Sequence, residues 1–206
     1  MFGKLLVVSF VFSGSAAIPF AAQQKAPPAA KAGPSGRFTI DPVHSTVIFK
    51  IRHMGISDFY GRFNEVGGMI MVDGDDPAES IVKFTIPAAK VDTNNPDRDK
   101  HLRGGDFFNA DEFKTIEFES TKVEAKGQAN NEFELTGDLT MHGVKKSISA
   151  HVKQVGFAEK TQMGARVGYE TKLTIKRSDF GMKGFIDNGA LGDEVELIVS
   201  VEAGKQ

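Results

Sequence analysis

The chain has 206 residues with no cysteine, no tryptophan and only two tyrosines. The missing cysteine excludes a disulfide scaffold, a thiolate-ligated zinc or iron–sulfur site, a thiol nucleophile and a lipid-modified N-terminal cysteine. Positive charge is not in surplus: 25 Lys and Arg stand against 27 Asp and Glu, for a formal net charge of −2. That argues against a nucleic-acid or anionic-membrane binder, whose phosphate contacts need excess cations. Catalytic signatures are also wanting. There is no G-x-S-x-G, no H-E-x-x-H, no Walker A loop and no G-x-G-x-x-G. The five histidines, His44, His53, His101, His142 and His151, include no pair at i,i+2 or i,i+4 spacing. No catalytic set, metal site or cofactor is therefore expected.

What the chain does have is phenylalanine, 17 of them, within a composition 40% hydrophobic and 25% charged. Four of them (Phe2, Phe10, Phe12, Phe20) lie in residues 1–22, which have the form of a secretory signal. Lys4 gives a positive start, Leu5 to Phe12 an apolar run broken by Ser9, and Ser13 to Ala17 a small-residue stretch. An apolar run of roughly eight residues is far below the ~20 that span a bilayer. The expectation is export, to the periplasm or beyond, without stable membrane insertion. Residues 23–36 (QQKAPPAAKAGPSG) are Pro-, Ala- and Gly-rich and read as a flexible linker. The folded domain is then 37–206.

From Arg37 onward the dominant period is two, the signature of strands with one face in water. Val47, Phe49 and Ile51 alternate with Thr46, Lys50 and Arg52. Similar runs follow at residues 59–72, 81–91, 115–123, 132–141, 144–152, 165–177 and 195–202. Isolated glycines at Gly61, Gly67 and Gly68 predict bulges or close backbone approach in the second run. One helix is expected: Asn94-Asn95-Pro96-Asp97 is a capping pattern with Pro at the first helical position, and Gly104-Gly105 ends it. On it, Asp97 and His101, and Asp99 and Arg103, are spaced to pair at i,i+4. About eight antiparallel strands with short connections predict an all-β sandwich or up-and-down barrel, and closure into a barrel leaves no exposed edge. The inward residues are large and apolar, which suits either a filled core or a ligand channel.

Several blocks together resemble the YceI-like family of lipocalin-like polyisoprenoid-binding proteins. They are Ile40-Asp41-Pro42-Val43-His44-Ser45-Thr46-Val47, Arg52-His53-Met54-Gly55, Gly61-Arg62-Phe63, residues 95–108 (NPDRDKHLRGGDFF), residues 136–144 (TGDLTMHGV), Arg177-Ser178-Asp179-Phe180-Gly181 and Gly192-Asp193-Glu194-Val195. They occur in family order and span residues 38–203. The family pattern often carries a Trp after the Ser-Asp-Phe-Gly block; here Met182-Lys183-Gly184-Phe185 follows, and Phe185 is the residue that would stand in. The resemblance implies an extended eight-stranded antiparallel barrel with an apolar channel that binds an isoprenoid-chain lipid, such as a polyprenyl phosphate or a quinone. Strands of about ten residues at ~3.3 Å each give ~30 Å of wall for such a chain.

On this reading Phe49, Ile51, Phe63, Phe84, Phe118, Phe133, Leu135, Leu139, Tyr169 and Leu173 line the channel. Leu102, Phe107 and Phe108 form a lid at its mouth. His53, Arg98, His101, His142 and Arg177 form a polar rim near a head group, with His53 capping the interior at a strand end. The expected role is sequestering or carrying the lipid. The rivals are an envelope enzyme acting on a lipid or quinone, and a solid-core structural barrel. A homodimer is compatible with the sequence.

Overall fold

A computed structural model describes residues 34–126 and 131–206. The signal segment 1–22 and linker residues 23–33 lie outside the described residues. Eleven strand segments form one antiparallel sheet: β1 (Gly36–Ile40), β2 (Thr46–His53), β3 (Ser57–Phe63), β4 (Gly67–Val72), β5 (Ile81–Pro87), β6 (Val91–Asp92), β7 (Thr115–Lys126), β8 (Glu132–Met141), β9 (Val144–Ala158), β10 (Arg166–Lys176) and β11 (Leu191–Lys205). β1 and β2 lie end to end along β11, with Ile40 opposite Ala203 and Thr46 opposite Ser200. β3 and β4 follow the same line, β3 on β2 and β4 on β1. β5 and β6 continue it on β4 and β3. The eleven segments are thus eight long staves joined up and down. Pairing of β1 with β11 closes them into a barrel.

The first three staves are broken because the chain kinks where the alternation fails. Asp41 to Ser45 bulges out, Asn64 to Val66 bends with Glu65 at φ 65, and a 3-10 turn interrupts at Ala88–Lys90. The expected single runs at 59–72 and 81–91 are therefore two segments each. β9 runs on to Ala158, past the expected end, because a bulge opposite Gly168 absorbs Val155 and restores the inward face at Phe157. Two hairpins turn on residue pairs with positive φ, Met54 (50°) with Gly55 (72°) and His142 (52°) with Gly143 (74°). That is the backbone twist that matches antiparallel strands.

Helix α1 (Pro96–Leu102) forms as its caps dictate: the Asn95 side chain accepts a hydrogen bond from Arg98 N–H at 3.0 Å, and Pro96 opens the first turn. The i,i+4 pairs expected on it do not form. Asp99 instead accepts from the N–H (2.8 Å) and hydroxyl (2.5 Å) of Thr93, and His101 meets Asp106 at 3.2 Å. Thr93 is buried, and leaving its two donors unmet would cost about 1–3 kcal/mol, more than an exposed helical pair contributes. Among the described residues, no helix is long and apolar enough to cross a membrane.

Inside, Phe38, Val66, Val167 and Phe180 are fully buried, within a cluster that also holds Phe49, Phe63, Ile70, Ile86, Ile116, Leu139 and Met141. Two phenylalanines lie flat over glycines of neighbouring strands. A Cβ on Gly61 would fall inside contact distance of the Phe49 ring, and one on Gly137 inside that of Phe118. These glycines are the slots into which the large inward rings fit.

Candidate functional site

The up-and-down course gathers four connections at one end, here the head: the 53–57 hairpin, the 93–114 segment with α1, the 142–143 hairpin and the 177–190 segment with a 3-10 helix at Arg177–Phe180. All the residues expected on a lid or rim lie there. Their environments differ sharply.

The lid residues close the head from above. Phe107 is buried and stacks on Phe185 (centroids 6.1 Å apart), while Phe108 meets Phe63 edge-on at 5.2 Å. Leu102 packs half-buried against the core. Phe185, where the family pattern often has Trp, has φ 62° and remains 42% exposed. His101 is exposed, with its ring edge-on to Phe107 and Phe185 at 5.2 and 5.9 Å.

The other polar candidates do not assemble into a head-group rim. Arg98 is exposed and folds back on its own segment, donating to the hydroxyl (2.9 Å) and carbonyl (2.7 Å) of Thr93 and lying 4.3 Å over the Phe59 ring. His142 Nδ1 donates to the Phe180 carbonyl at 3.0 Å, bracing the hairpin against the 3-10 turn. His53 is exposed rather than capping the interior. The β2–β11 register shifts between Leu191 and Val195, so the inward face that runs through Ile51 does not continue as a wall to His53.

Arg177 departs furthest from the rim expectation. It is 4% exposed, and its guanidinium donates to the carbonyls of Gly192 (2.8 Å), Met182 (3.0 Å) and Leu191 (3.3 Å). Burial pulls its pKa down, and the Asp193 carboxylate acts against that. Arg177 is a brace, with all three of its guanidinium nitrogens engaged by backbone carbonyls. Beside it, Asp193 accepts from the N–H and hydroxyl of Ser178 at 2.9 and 2.8 Å. Burial pushes the Asp193 pKa up, but the two Ser178 bonds and Arg177 outweigh it, so the net shift is down.

The expected lining residues share the inward face. Phe49, Ile51, Phe63, Leu135 and Leu139 are buried there, whereas Phe84, Phe118, Phe133, Tyr169 and Leu173 stay half-buried. Val82, Ile148, Val152, Leu197 and Val199, on the same face, are half-buried too. An inward side chain of a closed barrel can keep accessible surface only by facing space inside the barrel or at an opening in it. These half-buried side chains therefore border space inside the barrel, its ends or its seam rather than a core closed on every side. The Tyr169 hydroxyl makes no hydrogen bond among the described residues, and burial alone pushes its pKa up to about 12.

The wall also carries a seam. β9 and β10 are paired only from Val152–Thr171 to Ala158–Arg166. Toward the head they part, and a cavity of about 540 Å³ lies between them, lined by Lys146, Ser147 and Ile148 of β9 and Thr174, Ile175 and Lys176 of β10, with Asp179, Phe180 and Glu194. Consecutive residues point to opposite faces of a sheet. A cavity lined by three in a row on each side therefore lies in the plane of the wall. The one mark of this seam in the sequence periodicity is Lys146, which takes an apolar-parity place between Val144 and Ile148.

A second arrangement absent from the sequence expectations joins Asp41, His44 and Glu202, whose ligating atoms lie within 4.8 Å of one another. His44 Nδ1 is 3.1 Å from Asp41, and that bond, with one from the Val43 N–H, holds the Asp41 carboxyl below its usual range. The positive partner of the cluster is Arg166, 3.4 Å from Asp41 and 3.8 Å from Glu202. With a guanidinium already between the carboxylates, the group is an ion-pair latch tying the β1–β2 kink to β11. The motif Asp41-Pro42-Val43-His44 was visible in sequence; its partners lie more than a hundred residues away.

An antiparallel eight-stranded barrel, closed and with an apolar inward face, defines the lipocalin-like class. Within that class the chain belongs to the YceI-like family, whose YceI-like domain matches residues 38–203. It is 42% identical to the "UPF0312 protein" of Pseudomonas aeruginosa (strain LESB58) over 163 residues, 79% of this chain and 83% of that one. Among solved structures it resembles the Campylobacter jejuni YceI protein at 33% identity and a TM-score of 0.66, covering 76% of this chain and 91% of that one. A polyisoprenoid binding domain from Saccharophagus degradans shares the fold at 16% identity and a TM-score of 0.63, covering 82% and 98%.

Proposed function

We propose that this protein binds an isoprenoid-chain lipid inside its barrel and carries or sequesters it outside the cytoplasm. The observation that carries this reading is the set of half-buried apolar side chains on the inward face, Phe84, Phe118, Phe133, Leu173 and Leu197 among them. Each buried methylene of a lipid tail contributes about 0.8 kcal/mol at most, so a chain laid along such a wall is held mainly by apolar contact. Ordering the chain offsets much of that sum. Phenylalanine suits the lining because it has no donor that a hydrocarbon would leave unmet. The Saccharophagus degradans domain, described as polyisoprenoid-binding, supports the same ligand class through its fold. Binding rather than turnover is the reading, since at the head His142 braces a hairpin, His101 stands in solvent beside the single carboxylate of Asp106, and His53 is exposed. Export rests on the signal pattern of residues 1–22.

The test is organic extraction and mass spectrometry of protein purified from its native envelope, with thermal shifts on adding prenols or prenylated quinones. A stoichiometric isoprenoid lipid and a raised melting temperature are expected. No co-purifying lipid together with no shift overturns the proposal.

A further inference from the structure

The interior is apolar, but not everywhere. Of the polar side chains on the inward face, most are already satisfied. Ser120 accepts from the Val82 N–H (2.9 Å), Thr171 donates to the His151 carbonyl (2.6 Å), Asp193 accepts from Ser178, and Arg177 is spent on three carbonyls. Lys146 stands exposed at the seam. Two remain, and the β9–β10 register sets them side by side: Tyr169 of β10 opposite Gln154 of β9. Neither side chain makes a hydrogen bond among the described residues, and both keep accessible surface. They sit beyond the seam, in the half of the barrel away from the α1 lid.

Resting on the lipid-binding reading, we infer that Tyr169 and Gln154 form an uncharged hydrogen-bonding subsite inside the barrel. It takes a neutral oxygen of the ligand, a carbonyl or hydroxyl, in preference to a phosphate. The phenol and amide face the barrel interior with accessible surface and no protein partner among the described residues, so a ligand oxygen placed there gains hydrogen bonds that the apolar wall around it does not offer. The phenol donates; the amide both donates and accepts, so the pair suits a carbonyl or a hydroxyl equally. A phosphate differs. Its charge must be balanced on burial, and no inward Lys or Arg stands free beside this pair among the described residues. The lipid's polar group therefore lies deep, away from the head where the sequence placed it.

Three probes of matched chain length separate the possibilities: squalene, a prenylated benzoquinone and a polyprenyl phosphate, titrated into delipidated full-chain protein. Tyr169→Phe, which keeps the ring and its packing, is expected to weaken the quinone about three- to tenfold, the worth of one buried hydrogen bond. Squalene should change less than twofold. Adding Gln154→Leu should bring the quinone down to the hydrocarbon level, and the native protein should bind the phosphate more weakly than the quinone. An unchanged melting temperature confirms that each variant is folded. Equal weakening of quinone and squalene, no weakening of either, or a phosphate bound as tightly as the quinone overturns the subsite while leaving lipid binding in place. If none of the three binds the native protein, the lipid-binding reading itself falls, and the subsite with it.

Discussion

Replacing Arg177 with Met should cost this protein much of its stability and none of its intrinsic ligand affinity. The arginine is 4% exposed and donates to the carbonyls of Gly192, Met182 and Leu191, three points on the segment that crosses the head of the barrel. A hydrogen bond from a charged donor contributes about 1.5–3 kcal/mol net. The three share one guanidinium and are not independent, so their sum overstates the loss. With the carbonyls left unmet in a buried site, the expected destabilisation is about 3–5 kcal/mol. For a domain of this size, at about 2–4 °C per kcal/mol, that lowers the melting temperature by about 6–20 °C. Arg177→Lys keeps the charge but reaches fewer carbonyls and should fall between. Urea unfolding with the m-value held constant measures the loss. Isothermal titration of a prenylated probe below the variant's melting range measures affinity. A variant as stable as the native protein but tenfold weaker for ligand would refute the reasoning and restore Arg177 to a head-group rim.

Gly137→Ala drives a methyl group into the Phe118 ring and should destabilise by about 1–3 kcal/mol, read by thermal unfolding, with Phe118→Leu in the same chain relieving part of the loss. Asp41, Asp92 and Asp193 all have pKa values held below their ordinary range. Their contribution is therefore complete above the unfolded carboxylate pKa of about 4 and is lost as pH falls through the lower folded values. The melting temperature should drop below about pH 4, and Asp193→Asn should flatten that slope; a slope unchanged in the variant excludes Asp193 as a contributor. Hydrogen exchange should find amides of Val144 to His151 that point away from β8, and those of Lys172 to Lys176 facing β9, faster than amides in the paired stretch from Val152 to Ala158. Equal protection would mean that the seam is zipped in solution.

The barrel was legible because its strands are half-wet: Val47, Phe49 and Ile51, or Leu135, Leu139 and Met141, recur at period two with polar residues between them, and that pattern permits little else. The α1 caps, Asn95 and Pro96, were equally local and fell where the backbone needs them. Less legible were strand limits at kinks and bulges, since the bend at Glu65 splits one stave into two segments while Val155 breaks the alternation without ending β9. The site was read unevenly. Lining residues follow from parity alone, whereas head-end polar residues sit where parity stops, and their roles depend on which loop crosses over them. His53 and Arg177 show both outcomes, one left in solvent and the other locked inside.

By itself, then, the sequence determined the alternation, the helix, the near-total apolarity of one face and the absence of any thiol chemistry, because these are properties of neighbours along the chain. Only the tertiary structure decided which residues meet across it. Asp41 joins Arg166 and Glu202, Arg177 closes on the 182–192 segment, and Tyr169 comes to stand beside Gln154, neither side chain hydrogen-bonded among the described residues. β9 and β10 part before the head although apolar residues recur at period two along most of each. Hydrogen bonds and cavities depend on register between distant strands, and register is set by closure of the whole barrel rather than by any one strand.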